Sequence, residues 1–219
     1  MQCPFCKEEV MAGAVKCKHC GSMIPPVSVP RETAGVDDFG VLFGRAVEIW
    51  KGNLGDLVLL TLVFMRVVWV PIANIGFIAG YTRSLLKVAR GKGKAQVGDI
   101  FGAWDCFGNL FVYVLIVLIV SIVLHLVPIF GSLASIVLGF VVVPGGYLII
   151  DRGAGALDAC KWSLETIRAD FLNWLLAYLV GNVIACAGLV LLMVGVLLTA
   201  PLGQLIIIRQ YERARIPSS

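Results

Sequence analysis

Four of the seven cysteines lie near the start of the chain, in two tight pairs. Cys3 and Cys6 form one Cys-x-x-Cys pair, Cys17 and Cys20 form the second, and ten residues separate the pairs. Each pair can bind a metal ion from one side, so the four thiolates would complete a closed tetrahedral shell around Zn²⁺. A closed shell leaves no position for a substrate. The spacing therefore predicts a structural zinc site rather than a catalytic one.

The alternatives for the same thiols are iron binding and redox chemistry. His19 lies inside the second pair, and we expect it to face solvent because four sulfur atoms already complete the shell. With its Cys-Pro-x-Cys and Cys-x-x-Cys-Gly knuckles, segment 1–22 resembles the short zinc ribbon found at the N-terminus of many bacterial and archaeal proteins. Its lysines and glutamates are mixed, which favours a protein partner over nucleic acid.

The overall composition indicates an integral membrane protein. Of the 219 residues, 59% are hydrophobic and only 15% are charged. A soluble domain of this size leaves too much surface in water to hide such a composition, since charged residues normally make up about a quarter of the total. The same figures exclude a disordered chain. The net charge of +4 excludes a nucleic-acid binder that relies on bulk charge.

The chain divides into three parts of different composition. After the ribbon, residues 23–36 contain three prolines and little periodicity, as is typical of a semi-rigid linker. Residues 37–215 are the predicted membrane domain, and their pattern repeats as units 37–94, 95–152 and 153–215.

Each unit begins with an amphipathic stretch, which predicts a helix that lies at the membrane surface or packs across helix ends. The apolar stripes of these stretches are Phe39, Leu42, Phe43, Ala46, Val47 and Trp50; Val97, Ile100, Phe101, Trp104 and Phe107; and Leu157, Cys160, Leu164, Ile167 and Phe171. Two apolar runs follow each stretch, at Leu57–Val70, Ile72–Leu86, Leu110–Val127, Ile129–Ile150, Phe171–Met193 and Val194–Ile208. The expected fold is an all-α polytopic membrane protein, with three repeats of a surface helix plus a transmembrane hairpin and about six spans in all.

The first hairpin is expected to be short. A helix needs about 20 apolar residues to cross ~30 Å of hydrocarbon, whereas Leu57–Val70 rises only ~21 Å. Residues 57–86 are therefore expected to form either a short hairpin broken at Pro71 or one long kinked span.

The second helices of the later units share a motif. Pro144 precedes Arg152 by eight residues, and Pro201 precedes Arg209 by the same interval. Proline and glycine open the backbone ladder of a membrane helix and let neighbouring helices approach closely. The residues expected to bend or pack the helices are Pro71, Pro144, Gly145, Gly146, Pro201 and Gly203.

Charge placement predicts the orientation of the hairpins. If each unit is a hairpin, all but one of the 18 lysines and arginines and all 14 acidic residues fall on one side of the membrane. The positive-inside rule makes that side cytoplasmic. Both termini and the ribbon are then expected at the cytoplasmic face of the inner membrane. A model with five spans would move one terminus across the membrane.

Arg66 is the exception, because it lies ten residues beyond Asp56 and so ~15 Å along a helix. No Asp or Glu lies in any apolar run. Arg66 must therefore be satisfied by backbone carbonyls, water, lipid phosphate or another subunit. His125 precedes the turn at Pro128, and we expect it at the outer interface rather than in a proton relay.

A set of residues, among them glycines, a proline and aromatics, marks the third unit. They are Gly153, Ala156, Leu157, Ser163, Arg168 and Phe171, followed by Gly188, Gly195, Thr199, Pro201, Tyr211 and Glu212. This pattern resembles uncharacterised multi-pass membrane proteins of bacteria and archaea that carry domains of unknown function. The likeness spans residues 36–212, departs from the family in the short first hairpin, and implies a multi-pass helical fold but no activity.

The expected function is that of a non-enzymatic membrane scaffold or assembly protein. It would form a homo-oligomer or join a larger membrane complex, and would present the zinc ribbon to a cytosolic or membrane protein. One alternative is a transporter or channel subunit that uses Arg66 and the proline-broken helices. Another is a hairpin protein that shapes membranes. Catalysis is not expected, because Ser121 and His125 share a helix face without a third group to orient the histidine.

Overall fold

A computed structural model of the chain describes residues 36–126, 128–190 and 194–215. This part of the chain is helical and contains no β-strand. Its α-helices are α1 (Val36–Gly52), α2 (Leu54–Val67), α3 (Ala73–Ala89), α4 (Phe107–His125), α5 (Pro128–Arg152), α6 (Ala156–Ala169), α7 (Phe171–Val190) and α8 (Val194–Arg215). Two short 3₁₀ helices, Val97–Phe101 and Trp104–Cys106, precede α4 and are together called the 3₁₀ segment. The predicted ribbon and nearly all of the linker lie outside the described residues.

Along the chain, the helical elements fall into three groups, which we call units 1 to 3 in chain order. Each has an amphipathic element followed by two helices: α1 with α2 and α3, the 3₁₀ segment with α4 and α5, and α6 with α7 and α8. The chain reverses direction between α2 and α3, which pack against each other, so residues 57–86 form a short hairpin rather than one kinked span. The all-helical part of the predicted fold is confirmed.

Three helical stretches of the described chain are long and apolar enough to cross a membrane. They are Val97–His125, Ala134–Arg152 and Phe171–Leu189. These stretches support the prediction of a membrane protein. In the first unit, α2 has 14 residues and α3 has 17, so both are shorter than a typical span.

The three units pack in a cyclic order. The amphipathic element of each unit lies against the second helix of another: the 3₁₀ segment on α3, α6 on α5, and α1 on α8. The second helices α3, α5 and α8 also contact one another. This arrangement closes the three units into a ring with the second helices at its centre.

The amphipathic element of the first unit has the predicted faces. Leu42 and Ala46 of α1 are buried, whereas Arg45, Glu48 and Lys51 are exposed. This helix therefore packs its apolar side against the bundle.

The amphipathic element of the second unit is not the predicted single helix. It forms the 3₁₀ segment, in which Ile100 is fully buried while Phe101 and Trp104 are about half exposed. Gly98 and Gly102 lie within or directly after its first turn, and glycine is the poorest helix former after proline. The two glycines account for the failure of a continuous α-helix.

In α6 only part of the apolar stripe packs against the protein. Leu157 and Leu164 of the predicted stripe are exposed, and the residues buried against α5 are smaller. They are Ala156, Ala159 and Ser163, with Ile167 at the end of the helix. The small-residue face of α6 is thus the one that packs against protein.

Candidate functional site

An ion cluster joins the C-terminal ends of the three central helices. Arg90, directly after α3, donates hydrogen bonds of 3.0 and 2.6 Å to Glu212 of α8. Its Nη1 atom lies 2.7 Å from Oδ1 of Asp151 in α5. Tyr211 donates a 2.9 Å hydrogen bond to the second oxygen of Asp151, and Arg215 lies 3.2 Å from Glu212. We call these five residues the clasp.

The clasp is largely removed from solvent. The side chains of Arg90, Asp151 and Glu212 are 17%, 7% and 13% exposed. Hydrogen bonding to Asp151 raises the pKa of Arg90 further above its usual range, so this side chain stays charged. Two arginines face two carboxylates, so the charges balance within the cluster. The clasp has the chemistry of a structural link between the units, with its acidic groups occupied by protein donors.

The proline in α5 opens the helix, and neighbouring side chains fill the opening. Proline has no backbone N–H and its ring crowds the preceding turn. Directly after Pro144, the N–H of Gly145 donates a 3.2 Å hydrogen bond to the Ser163 hydroxyl of α6. That hydroxyl in turn donates to the carbonyl of Val141. The phenol of Tyr113 donates a 2.8 Å hydrogen bond to the carbonyl of Val142.

A side chain from another helix also donates to the backbone near the proline in α8. The Trp50 indole N–H donates a 2.9 Å hydrogen bond to the carbonyl of Leu198, three residues before Pro201. Val141 stands three residues before Pro144, so the two accepting carbonyls occupy equivalent positions. In both cases the donor belongs to the amphipathic helix of another unit, α6 or α1. Each proline-opened helix is therefore satisfied by a donor from outside its own unit.

The predicted packing glycines differ from one another in their surroundings. A methyl group on Gly145 would lie 2.8 Å from the carbonyl oxygen of Ala159, and one on Gly203 would overlap the carbonyl oxygen of Gly181. A methyl group on Gly146 would meet nothing within 4 Å. Gly145 and Gly203 thus stand at close backbone contacts, whereas Gly146 does not.

The predicted polar candidates lie apart from the clasp. Arg66 is exposed near the end of α2, and it makes no ion pair with any residue of the described ranges. The His125 Nδ1 atom lies 2.8 Å from the carbonyl oxygen of Ser121, and the Ser135 hydroxyl lies 3.4 Å from Nε2. Pro71 is exposed in the turn between α2 and α3, and Pro144 and Pro201 are buried.

The chain matches no known family model, no curated protein and no solved structure. The resemblance to uncharacterised multi-pass membrane proteins therefore stays a prediction. Within residues 36–126, 128–190 and 194–215, no group of three or more His, Cys, Asp or Glu side chains could hold a metal ion. The predicted ligands Cys3, Cys6, Cys17 and Cys20 lie outside those ranges. A set of four thiolates fits Zn²⁺ by its chemistry.

The clasp and the two donors Ser163 and Trp50 were not predicted as site residues. One signal for the clasp was present, because Asp151 and Glu212 are acidic residues at the ends of otherwise apolar helices. In the sequence, Ser163 stands out only as part of the pattern that resembles the membrane protein family. Its pairing with the opening at Pro144 depends on helix packing, which a single sequence does not specify.

Proposed function

We propose that the chain is a non-enzymatic, multi-pass membrane scaffold that holds its N-terminal cysteine module at the cytoplasmic surface for binding to another protein. The observation that carries this proposal is the attachment of α1. This helix follows the module and linker directly, and its Trp50 is hydrogen-bonded to α8. A partner bound to the module would therefore be connected to the packed membrane domain through one short linker.

In this proposal three hairpins enter the bilayer, with their charged ends on the cytoplasmic side. The hairpins are α2 with α3, α4 with α5, and α7 with α8. The clasp supports this, because it gathers the charged ends of α3, α5 and α8 at one place. At the base of the first hairpin, Asp56 lies 3.9 Å from Lys94. The concentration of lysine and arginine at these ends favours the cytoplasm under the positive-inside rule.

The surface of α4 supports immersion in lipid or contact with further membrane helices. Only 11% of its apolar stretch is buried within the protein. Large side chains are exposed on several sides of the helix, among them Phe111, Leu115, Leu118, Ile119, Ile122 and Val123. Such a surface in water would favour aggregation, whereas lipid or a second copy of the chain would cover it.

The zinc-ribbon part of the proposal is supported by the chemistry of the four cysteines. A bound Zn²⁺ ion would supply the folding free energy of a segment too short for its own core. Cys3, Cys6, Cys17 and Cys20 would hold it. The transporter hypothesis receives no such support, because Arg66 lies on the outer surface of its hairpin rather than toward the central helices.

The test uses the full chain in native-like membrane discs. Cys3→Ser and Cys17→Ser should remove bound zinc and abolish a defined, crosslinkable protein partner, while the helical circular dichroism of the membrane domain stays the same. Cys186→Ser is the matched control, because Cys186 is an exposed free cysteine in α7 and should keep both metal and partner. A set of partners that is unaffected by loss of Cys3 and Cys17 would rule out the proposed role of the module.

A further inference from the structure

The tip of the first hairpin presents an exposed arginine within an apolar surface. Leu59, Leu62 and Arg66 follow one another at steps of three and four residues, so they form one stripe along α2. Trp69 lies three residues after Arg66, in the turn beyond the end of the helix. The leucines are 52% and 45% exposed, and Trp69 is 83% exposed. The opposite face of α2 buries Leu57 and neighbouring residues. Arg66 therefore lies on the side of the hairpin that faces away from the protein.

The turn after this stripe exposes further apolar side chains. Ile72 has a φ of 66°, and the Ala73 N–H donates to the carbonyl of Pro71 at 2.7 Å, which is the pattern of a γ-turn. A β-branched residue at positive φ is strained. Val70 and Ile72 are 48% and 64% exposed in this turn, so the strained turn does not bury its own apolar groups.

The hairpin is too short to reach across an ordinary bilayer. The 14 residues of α2 rise ~21 Å and the 17 residues of α3 rise ~26 Å, against a hydrocarbon core of ~30 Å. From Asp56 at the base, Arg66 stands ~15 Å along the helix, and Trp69 follows in the turn beyond the helix end. In an undeformed bilayer, Arg66 would lie near the midplane of the hydrocarbon, and Trp69 would lie in the hydrocarbon of the leaflet opposite the clasp.

Neither side chain suits that position. An arginine on the lipid-facing side of a helix is costly in hydrocarbon unless it draws headgroups or water toward it. Tryptophan is enriched where hydrocarbon meets the headgroups. A short hydrophobic segment is accommodated by local thinning of the bilayer, which would place the tip at an interface. The guanidinium group forms paired hydrogen bonds with phosphate oxygens, the acceptors that such an interface supplies.

We propose that Arg66 binds the phosphate of a phospholipid headgroup from the leaflet opposite the clasp, and that the first hairpin thins the bilayer beside it. This inference rests on the membrane arrangement in the proposed function. The short helices set the depth of the tip, Arg66 supplies the charge that recruits the headgroup, and Trp69 with Ile72 anchors the tip among the first carbons of the acyl chains.

The test measures thermal stability of the full chain in phosphatidylcholine bilayers of graded acyl-chain length. The wild-type protein should be most stable in thin bilayers of ~14-carbon chains, and Arg66→Leu should move the maximum toward ~18-carbon chains. Arg66→Lys retains a cation, so its thermal stability should still be highest in thin bilayers. Lys161→Leu is the matched control, because Lys161 is exposed on α6 outside the apolar helices and should leave the maximum unchanged.

Two further results distinguish a failure of the membrane arrangement from a failure of the headgroup site. If the wild-type protein is released from membranes by alkaline carbonate, the membrane arrangement itself is wrong. If the protein stays in the membrane but Arg66→Leu has the same chain-length profile as wild type, the membrane arrangement stands and the headgroup site is wrong. Inorganic phosphate added to the protein in detergent should not raise its unfolding temperature. Stabilisation there would assign the site to free phosphate and overturn the lipid proposal.

Discussion

The Trp50 indole donates a 2.9 Å hydrogen bond to the carbonyl oxygen of Leu198, which lies 148 residues further along the chain. This contact joins the first helix of the membrane domain to the last one, at the turn that Pro201 opens. It closes the cyclic packing of the three units, since the other two junctions join units that are adjacent in sequence. The amphipathic helices therefore serve as links between units.

We predict that Trp50→Phe lowers the free energy of unfolding by about 1 kcal/mol, because the ring is kept while the donor to the Leu198 carbonyl is lost. The measurement is thermal or denaturant unfolding in detergent. Trp69→Phe should have no effect there, since Trp69 is 83% exposed. Equal effects of the two substitutions would show that the Trp50 hydrogen bond does not stabilise the fold.

We predict that Ser163→Ala costs about 1–3 kcal/mol, because the Gly145 N–H and the Val141 carbonyl both lose their buried partner. The loss should be smaller when Pro144→Ala is also present, since alanine lets α5 close its own hydrogen-bond ladder. A double-mutant cycle measures this coupling. Identical costs of Ser163→Ala in both backgrounds would contradict the role assigned to the hydroxyl.

The repeat and the positions of the helices follow from the sequence, but the packing of the helices follows only in part. The sequence predicts that α6 lies at the membrane surface or packs across helix ends, which leaves open what its apolar stripe faces. In the structure Leu157 of that stripe is 68% exposed and Ala159, outside the stripe, is fully buried. Periodicity identifies the more apolar face, and in water that face packs inward. Against lipid, the large apolar residues can face outward while small residues permit close helix contact. The sequence pattern alone does not distinguish these two solvents.

The clasp illustrates a second limit of sequence reasoning. Arg90, Asp151 and Glu212 are about 60 residues apart along the chain, and each ends an apolar run. The sequence predicts that these charges lie on one side of the hairpins, and the structure brings the three side chains together. That the three side chains meet depends on the cyclic order of the units, which periodicity and composition do not encode.

We predict opposite results for alanine at the two equivalent positions of the shared motif, each two residues after its proline. Gly203→Ala should destabilise the protein by about 1–3 kcal/mol, because its methyl group overlaps the Gly181 carbonyl oxygen between α7 and α8. Gly146→Ala should leave stability unchanged or raise it, because the added methyl group has open space and alanine favours the helix. Unfolding in detergent compares the pair. A larger loss at Gly146 than at Gly203 would disprove the assigned packing.

We predict that Arg90→Leu is the most destabilising single change in the clasp, at about 3 kcal/mol or more. The substitution leaves Asp151 and Glu212 without the cation that lies 2.7 and 2.6 Å from them, although both carboxylates are mostly buried. Arg152→Leu is the control, since Arg152 is exposed one residue beyond Asp151 and should change stability little. Adding Asp151→Asn to Arg90→Leu should recover part of the loss, because a neutral amide no longer requires a counter-ion. Arg215 still faces both carboxylates in the Arg90 variant, but one cation then stands against two acidic groups. If Asp151→Asn makes that variant less stable still, the excess of negative charge is not what destabilises it, and the clasp acts through shape rather than charge.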